Sequence, residues 1–301
     1  MELIVKIALL FALLFVGFFA RKLNIVNETF HSQLARFVVY ITMPVYILVN
    51  MSRSFDNEVL SNSFKLLLIS LCIYIILCII SYISRGFWKV DNDKKPMYQL
   101  GMVFANTGFL GFPVISVVLS PSAVFYAAIF NVFFDLFLWT YGIFLIKKDK
   151  VNFNIKMIIS PNLVAIILGF TFFLTSFSFP DEIFGFLKTL GGLTPTLAMI
   201  VIGLMLSEVK MEDFKDVKYP LILSLYKLLI IPIMIYIVLY ALGFRGYLLI
   251  IPTIIMGMPV AANTAIISGA NGARYDIMTV LIIISTLLSM ISIPVIAEVF
   301  V

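Results

Sequence analysis

The chain has 301 residues, of which 62% are hydrophobic and 12% are charged, and its mean hydropathy is +1.11. Soluble domains average about 45–50% apolar and about 25% charged residues, so this composition excludes an ordinary soluble protein. The net charge of +5 does not indicate a nucleic-acid partner, because the basic residues lie in short segments between apolar runs. We therefore expect an all-α integral membrane protein of the lipid bilayer, with room for roughly ten spans of about 20 residues.

Apolar runs of membrane-spanning length follow one another along the whole chain. The first run, Met1–Ala20, is followed rather than preceded by basic residues, so we interpret it as a span and not as a signal peptide. The segment Asn24–Ala35 is predicted to be a polar connector. The predicted spans cover residues 3–20, 36–52, 63–84, 98–119, 122–146, 156–175, 186–207, 219–242, 247–270 and 274–299.

Basic residues are distributed unevenly between the two sides that these spans define. With the N-terminus outside, fifteen of the 21 Lys and Arg residues fall in cytoplasmic segments or their flanks, five fall outside, and Lys227 lies within span 8. Cytoplasmic loops of membrane proteins are enriched in positive charge. The sequence therefore predicts a multi-pass protein of the cell membrane with both termini outside.

Two predicted spans contain residues that interrupt a helix. Span 4 contains Phe104–Pro113 (FANTGFLGFP), and span 9 contains Met256–Thr264 (MGMPVAANT). Proline lacks an amide proton and glycine loosens the backbone. Because unpaired backbone cannot face lipid, each break must be buried in protein or line a wet cavity. Interrupted spans in corresponding halves of a chain indicate a transporter binding site.

The breaks suggest that the chain consists of two repeats, residues 1–150 and 151–301. Each half would hold five spans, an odd number, so homologous halves would cross the membrane in opposite directions, as in the inverted repeats of secondary transporters. Gly17 matches Gly169 at an offset of 152 residues. The two Asn-Thr pairs give an offset of 157 and the two Gly-x-Pro motifs give 146, so the register between the halves stays open.

Polar residues at the two breaks are the main candidates for substrate binding. A broken helix exposes amide groups at the start of its second half, where the helix dipole is positive. Two such ends near the membrane midplane would favour an anion, and asparagine side chains can hold a carboxylate. The alternative is that these residues only satisfy broken backbone or join helices. The candidates are Asn106, Thr107, Gly108, Pro113, Pro259, Asn263 and Thr264.

Further polar residues lie within other spans. Asn131 and Asp135 share one helix face in span 5, and Lys227 lies in span 8. An ionisable residue at this depth is a functional candidate, so Asp135 would neutralise Lys227, bind a coupling cation or relay a proton. A structural ion pair or a snorkelling lysine is the alternative. Asn50, near the outer end of span 2, is a further candidate for the substrate path.

The sequence lacks the common motifs of nucleotide, metal and acyl chemistry, including Walker A, His-Glu-x-x-His and Gly-x-Ser-x-Gly. Its only histidine is His31, and Cys72 and Cys78 lie in one apolar span without metal-ligand spacing. We therefore expect no cofactor, no metal site and no enzymatic activity.

Several motifs resemble those of the bacterial branch of the auxin efflux carrier family, which includes plant auxin carriers and malonate-type carriers. They are Phe104–Pro113, Met258–Thr264, Gly272–Asp276 and Ser285–Ser289, together with Met43–Pro44. The resemblance implies ten transmembrane helices in two inverted five-helix repeats, similar to sodium–proton antiporters and bile-acid symporters. Helices 4 and 9 of that fold are broken and cross each other.

The resemblance also implies how the fold divides and works. A scaffold would come from residues 1–52 and 153–210, and a transport domain from residues 63–146 and 219–301. By this resemblance, the chain would move organic anions by an elevator motion of the transport domain; the plant members of the family are dimers through the scaffold. Carried over to this chain, the crossover and its substrate site would include Asn106, Pro113, Pro259 and Asn263.

The predicted function is a secondary transporter of small organic anions, such as carboxylates, across the cytoplasmic membrane. Two alternatives stay open. One is a sodium- or proton-coupled symporter with Asp135 near the ion. The other is a membrane receptor or sensor that has this fold and binds its ligand without transporting it.

Overall fold

The computed structural model describes residues 2–27, 29–147, 159–207 and 217–301. Within these ranges the regular structure is helical, apart from one isolated antiparallel backbone bridge between Ala105 and Val260. Counting short 3-10 and π turns with the helices they extend, we number the elements α1 (Glu2–Lys22), α2 (Phe30–Met51), α3 (Asn57–Gly86), α4 (Lys95–Val103), α5 (Thr107–Val118), α6 (Pro121–Lys147), α7 (Pro161–Thr175), α8 (Asp181–Ser207), α9 (Lys218–Ala241), α10 (Tyr247–Met256), α11 (Asn263–Ala270) and α12 (Tyr275–Phe300).

Seven of the described helices are long and apolar enough to cross a membrane: α1, α2, α3, α6, α8, α9 and α12. Helices α5, α7 and α10 are apolar but shorter. The prediction of an all-helical, multi-pass membrane protein is thus confirmed. Predicted span 4 is divided into α4 and α5, and predicted span 9 into α10 and α11. The predicted start of span 6 at residue 156 and the boundary between halves at residue 150 lie outside the described residues.

Among the helices that begin earlier than the apolar pattern predicts, α2 and α3 do so because polar side chains accept their first amide protons. Helix α2 begins at Phe30, whose amide donates to the Asn27 side chain at 3.0 Å, so the predicted polar connector already contains the first turn of the helix. Helix α3 begins at Asn57, where the Asp56 carboxylate accepts from two amides of the first turn at 2.7 and 3.0 Å. Such capping satisfies amides that have no partner within the helix.

Proline residues account for most of the wide turns within these helices. Of the four π turns among the described residues, three end two residues before a proline. The proline ring collides with the carbonyl of the preceding turn and offers no amide proton, and a wider turn relieves both problems. The three pairs are Val38–Thr42 with Pro44, Thr107–Gly111 with Pro113, and Tyr226–Ile230 with Pro232.

Helices α1, α2, α7 and α8 pack closely on one another. Helix α1 packs along α8, and α2 packs against both α7 and α8. The backbones of α1 and α8 touch, since a Cβ atom at Gly203 would collide with the carbonyl of Leu14, and one at Gly17 with the carbonyl of Ile200. Small residues allow this close approach, on which helix association in a membrane depends.

The remaining helices pack around the two interrupted segments. Helix α3 contacts α4 and α6, α9 contacts α10 and α12, and α11 contacts α12. The two groups of helices meet where α1 and α8 contact α5, α1 contacts α12, and α2 contacts α6. The breaks between α4 and α5 and between α10 and α11 therefore lie within one group, next to its boundary with the other.

The α1–α8 contact predicts a stability difference between two glycines of α8. Gly203→Leu should lower the melting temperature of the purified protein in detergent, because overpacking typically costs about 1–3 kcal/mol. Gly192→Leu is the matched control, since a Cβ atom there would meet nothing within 4 Å. Equal melting temperatures for the two variants would contradict the contact.

Candidate functional site

The two linkers that interrupt the helices run antiparallel and bond to each other. The amide of Asn106 donates to the carbonyl of Pro259 at 2.8 Å, and the amide of Ala261 donates to the carbonyl of Phe104 at 3.0 Å. These bonds form the isolated bridge described above. Because the membrane interior has no water to bond to, pairing the linkers satisfies backbone groups that the broken helices leave open.

Lys227 of α9 is bonded to the C-terminal end of α4. Its ammonium group donates to the carbonyls of Met102 and Val103, each at 3.2 Å, and the side chain is completely buried. The last carbonyls of a helix lack intrahelical partners and carry partial negative charge, so a cation is stabilised there. The predicted pairing of Lys227 with Asp135 is therefore wrong, and each residue has a different partner.

Hydroxyl groups hold the second linker. The amide of Val260 donates to the Ser285 side chain of α12 at 3.1 Å. The Thr264 hydroxyl donates to the carbonyl of Ala261 at 2.5 Å. Thr264 and Ser285 are both fully buried. Their hydroxyl groups therefore satisfy backbone groups of the linker that have no access to solvent.

A cavity of about 30 Å³ lies beside the paired linkers. One water molecule needs about 10–15 Å³ of such space, so this cavity has room for about two waters and not for an organic substrate. Helices α2 and α7 form one wall, and the linkers, α5, α6 and α11 form the other. The polar lining consists of Asn106, Thr107, Asn131, Asp135, Asn162 and Asn263, and the apolar lining includes Val39, Met43, Phe109 and Phe134.

Three helices begin at this cavity. Gly108 and Phe109 belong to the first turn of α5, Asn263 is the first residue of α11, and Asn162 is the second residue of α7. Each helix N-terminus carries about half a positive elementary charge and exposes amide donors. No Lys, Arg or His among the described residues lines the cavity, so the positive contribution to its potential comes from these helix ends.

Two side-chain amide oxygens at the cavity lack hydrogen-bond partners among the described residues. Asn131 is only 8% exposed, and its side-chain oxygen is buried with no partner among the described residues. The side-chain oxygen of Asn162 is likewise buried without a partner among the described residues. Buried polar atoms in folded proteins are nearly always bonded, so unpaired ones at a cavity indicate a place for water or a ligand.

Asp135 is held at the start of α7. The hydroxyl of Ser160 donates to its carboxylate at 2.5 Å, and the same hydroxyl accepts from the amide of Leu163 at 3.0 Å. Ser160 is thus the N-cap of α7, a position where serine is strongly preferred. The bond joins α6 to α7, which belong to different groups of packed helices.

The remaining predicted site residues do not line the cavity. Pro113 is buried within α5, and Pro259 contributes only its carbonyl to the linker pairing. Thr264 bonds to the backbone. The side chain of Asn50 donates to the carbonyl of Tyr46 on its own helix at 2.7 Å. Of the candidates, the structure brings together Asn106, Thr107, Gly108, Asn131, Asp135 and Asn263.

Sequence reasoning missed the contribution of α7. Ser160 and Asn162 were placed inside predicted span 6 rather than at a helix start. The signal was present, since a serine followed by a proline is typical of the N-cap and first position of a helix. Val39 and Met43 were missed because nothing local distinguishes an apolar residue that lines a cavity from one that faces lipid.

A second cavity, of about 270 Å³, lies beside the loop between α11 and α12. Arg274 in this loop bonds to Asp93 at 2.9 Å and to Asp276 at 2.6 Å. The hydrogen bond from Arg274 lowers the pKa of Asp93 below its ordinary value. The ion pair between Arg274 and Asp93 joins the α11–α12 loop to the α3–α4 loop.

The Lys227 contacts predict that removing its charge destabilises the crossover. Lys227→Met leaves the carbonyls of Met102 and Val103 without a donor, which typically costs about 1–3 kcal/mol. The melting temperature should fall, and the amides of Phe104 and Ala261 should exchange their protons faster. Lys65→Met, on the exposed side of α3, is the control for loss of a lysine charge. Unchanged exchange in Lys227→Met would contradict the assigned role.

Comparison with known proteins agrees with this architecture. An uncharacterized transporter of Methanothermobacter thermautotrophicus is 25% identical over 290 residues, which is 94% of this chain and 93% of that protein. An uncharacterized transporter of Methanocaldococcus jannaschii is 26% identical over 228 residues, 73% of either chain. The profile of the family described as membrane transport protein matches residues 2–155 and 150–297. The chain therefore belongs to this family of membrane transport proteins, which is the auxin efflux carrier family that its motifs resemble.

Proposed function

We propose that this protein is a secondary transporter of small organic anions across the cell membrane. The observation that carries the proposal is the convergence of three helix N-termini and the side-chain amides of four asparagines on one cavity. Backbone and side-chain amides are the groups that hold a carboxylate without a fixed positive charge nearby. Membership of a transporter family makes transport, rather than catalysis, the use of such a site.

The size and position of the cavity favour alternating access by an elevator motion. At about 30 Å³, the cavity is too small for any carboxylate-bearing substrate, so the helices around it must move to admit one. Its walls come from two separately packed groups of helices. Sliding the group that carries the linkers along α2 and α7 would enlarge the cavity without breaking the linker pairing.

The pairing of the linkers supports an inverted repeat. In an antiparallel bridge, a local two-fold axis passes between the two paired residues. Residues 105 and 260 would then be equivalent, at an offset of 155 positions. The helix contacts agree, since α1 packs on α8 as α7 packs on α2. We accordingly propose ten membrane helices in two inverted repeats, 1–150 and 151–301, with α4–α5 and α10–α11 as the broken fourth and ninth.

In this arrangement α1, α2, α7 and α8 are the scaffold, from residues 1–52 and 153–210, and the other helices are the transport domain, from residues 63–146 and 219–301. Contacts between loops support the proposed grouping of segments on the same side of the membrane, and the orientation with both termini outside stays a prediction. Arg274 bonds to Asp93 between two segments proposed as cytoplasmic. The Phe55 amide donates to the Ser176 hydroxyl at 3.1 Å between two segments proposed as external. A homodimer through the scaffold helices stays a prediction.

The proposed site predicts which asparagines matter. Asn106→Ala and Asn263→Ala should each weaken anion binding, because a hydrogen bond to a charged group contributes about 1.5–3 kcal/mol, or about a 10- to 100-fold change in affinity. Binding is measured by ligand-dependent thermal shift over a panel of carboxylates, and transport by uptake into proteoliposomes. Asn50→Ala is the matched control, since Asn50 bonds to its own helix and lies away from the cavity.

Two results would contradict the proposal in different ways. Normal binding and uptake by both cavity variants would mean that the substrate site lies elsewhere. Binding without accumulation or exchange by the wild-type protein would instead identify a receptor that has the fold of a carrier.

A further inference from the structure

Among the described residues, Asp135 is the one carboxylate at the candidate site, and it lies in the region where an anionic substrate would bind. Asp135 lines the cavity together with Asn106, Asn131, Asn162 and Asn263. Its carboxylate accepts from Ser160 at the N-terminus of α7. In the ionised form it therefore occupies one of the three positive helix ends that attract an anion.

The charges at the cavity can be compared before and after a substrate enters. Three helix N-termini contribute together roughly +1.5 elementary charges. An ionised Asp135 reduces this to roughly +0.5, and a substrate carboxylate beside it would make the sum negative in a space with almost no water. Two carboxylates that share a site do not readily ionise together, so one of the two binds a proton.

No described basic side chain lines the cavity and neutralises one of the two carboxylates. The titratable side chains on α3 that lie near this part of α6 are Tyr74 and Cys78, and both groups are ordinarily neutral near pH 7. Tyr141, on α6 itself, bonds to α3. Lys227 donates instead to the carbonyls of α4. The described cavity residues from α2, α5, α7 and α11, and from the linkers beside them, are not titratable.

We infer that the substrate anion binds together with one proton, which is taken from solvent onto Asp135, so that a monocarboxylate and its proton cross the membrane as a neutral pair. This inference rests on the proposed function and identifies the coupling that the site imposes. The unpaired oxygen of Asn131, one helical turn from Asp135, is within the same cavity and is suited to accept from a protonated carboxyl group.

The sign of the pH dependence follows from this exchange. The complex holds one more proton than the free protein, so affinity falls as pH rises. In the range where Asp135 is ionised in the free protein, the apparent affinity should fall about tenfold for each pH unit. An asparagine at this position has no proton to exchange and carries no charge.

The test measures the affinity of acetate, benzoate, malonate and succinate by thermal shift between about pH 6.5 and 8.5, where the carboxyl groups of these probes are largely ionised. The wild-type protein should show the tenfold slope for the probes that bind. Asp135→Asn should bind them with an affinity independent of pH, and Asp135→Glu should keep a slope. Asn50→Ala should behave as the wild-type protein does.

Calorimetry of the wild-type protein in buffers of different ionisation enthalpy measures the proton directly, and it does not depend on how a variant folds. Uptake of one proton per anion is the expected result. Anion binding without proton uptake, or with the same slope in Asp135→Asn, would overturn the inference while leaving the anion site intact. If the wild-type protein neither binds nor transports any organic anion, the proposed function fails, and this inference fails with it.

Discussion

The pairing of two interrupted segments through their backbones is the constraint on which the rest of this structure depends. An interrupted helix in a membrane leaves amides and carbonyls that lipid cannot satisfy. Here each linker supplies what the other lacks, through the bonds from Asn106 to Pro259 and from Ala261 to Phe104. A single break would have to find all its partners among side chains. Two breaks side by side satisfy each other and leave the following helix ends free to face a cavity.

Different side chains stabilise the two breaks. The end of α4 is held by Lys227, a cation from a helix 125 residues away in sequence, whereas the second linker is held by the hydroxyl of Ser285. If residues 105 and 260 are equivalent, Asn106 corresponds to Ala261, and Asn263 corresponds to Gly108. Each break thus has one asparagine within it or directly after it, at a different position. The side chains at the cavity are therefore asymmetric, although the backbone bridge beside them has a local two-fold pattern.

Sequence reasoning located the breaks because their signals are local. Glycine, proline and asparagine disturb a helix wherever they occur, so Phe104–Pro113 and Met256–Thr264 could be found without knowing their neighbours. The partner of Lys227 could not be predicted from the sequence. The position of a residue along its span gives its depth in the membrane but not which other helices lie beside it. Asp135 and Lys227 have compatible depths, yet they bond to α7 and α4 respectively. Ser160 and the proline after it indicate the start of α7. Apolar residues on both sides nevertheless made this segment resemble the interior of a span.

The source of positive potential explains why the chain needs so few charged residues at its centre. A lysine or arginine in the cavity would hold an anion tightly on both sides of the membrane, and a carrier must also release it. Helix ends provide a weaker, fixed attraction that is strong only where water is excluded. Lys227, the one lysine of α9 that is fully buried, is directed instead to the carbonyls of Met102 and Val103, where it neutralises the negative end of α4. The cation thus stabilises the first break, and the amides at the cavity remain available for the proposed anion.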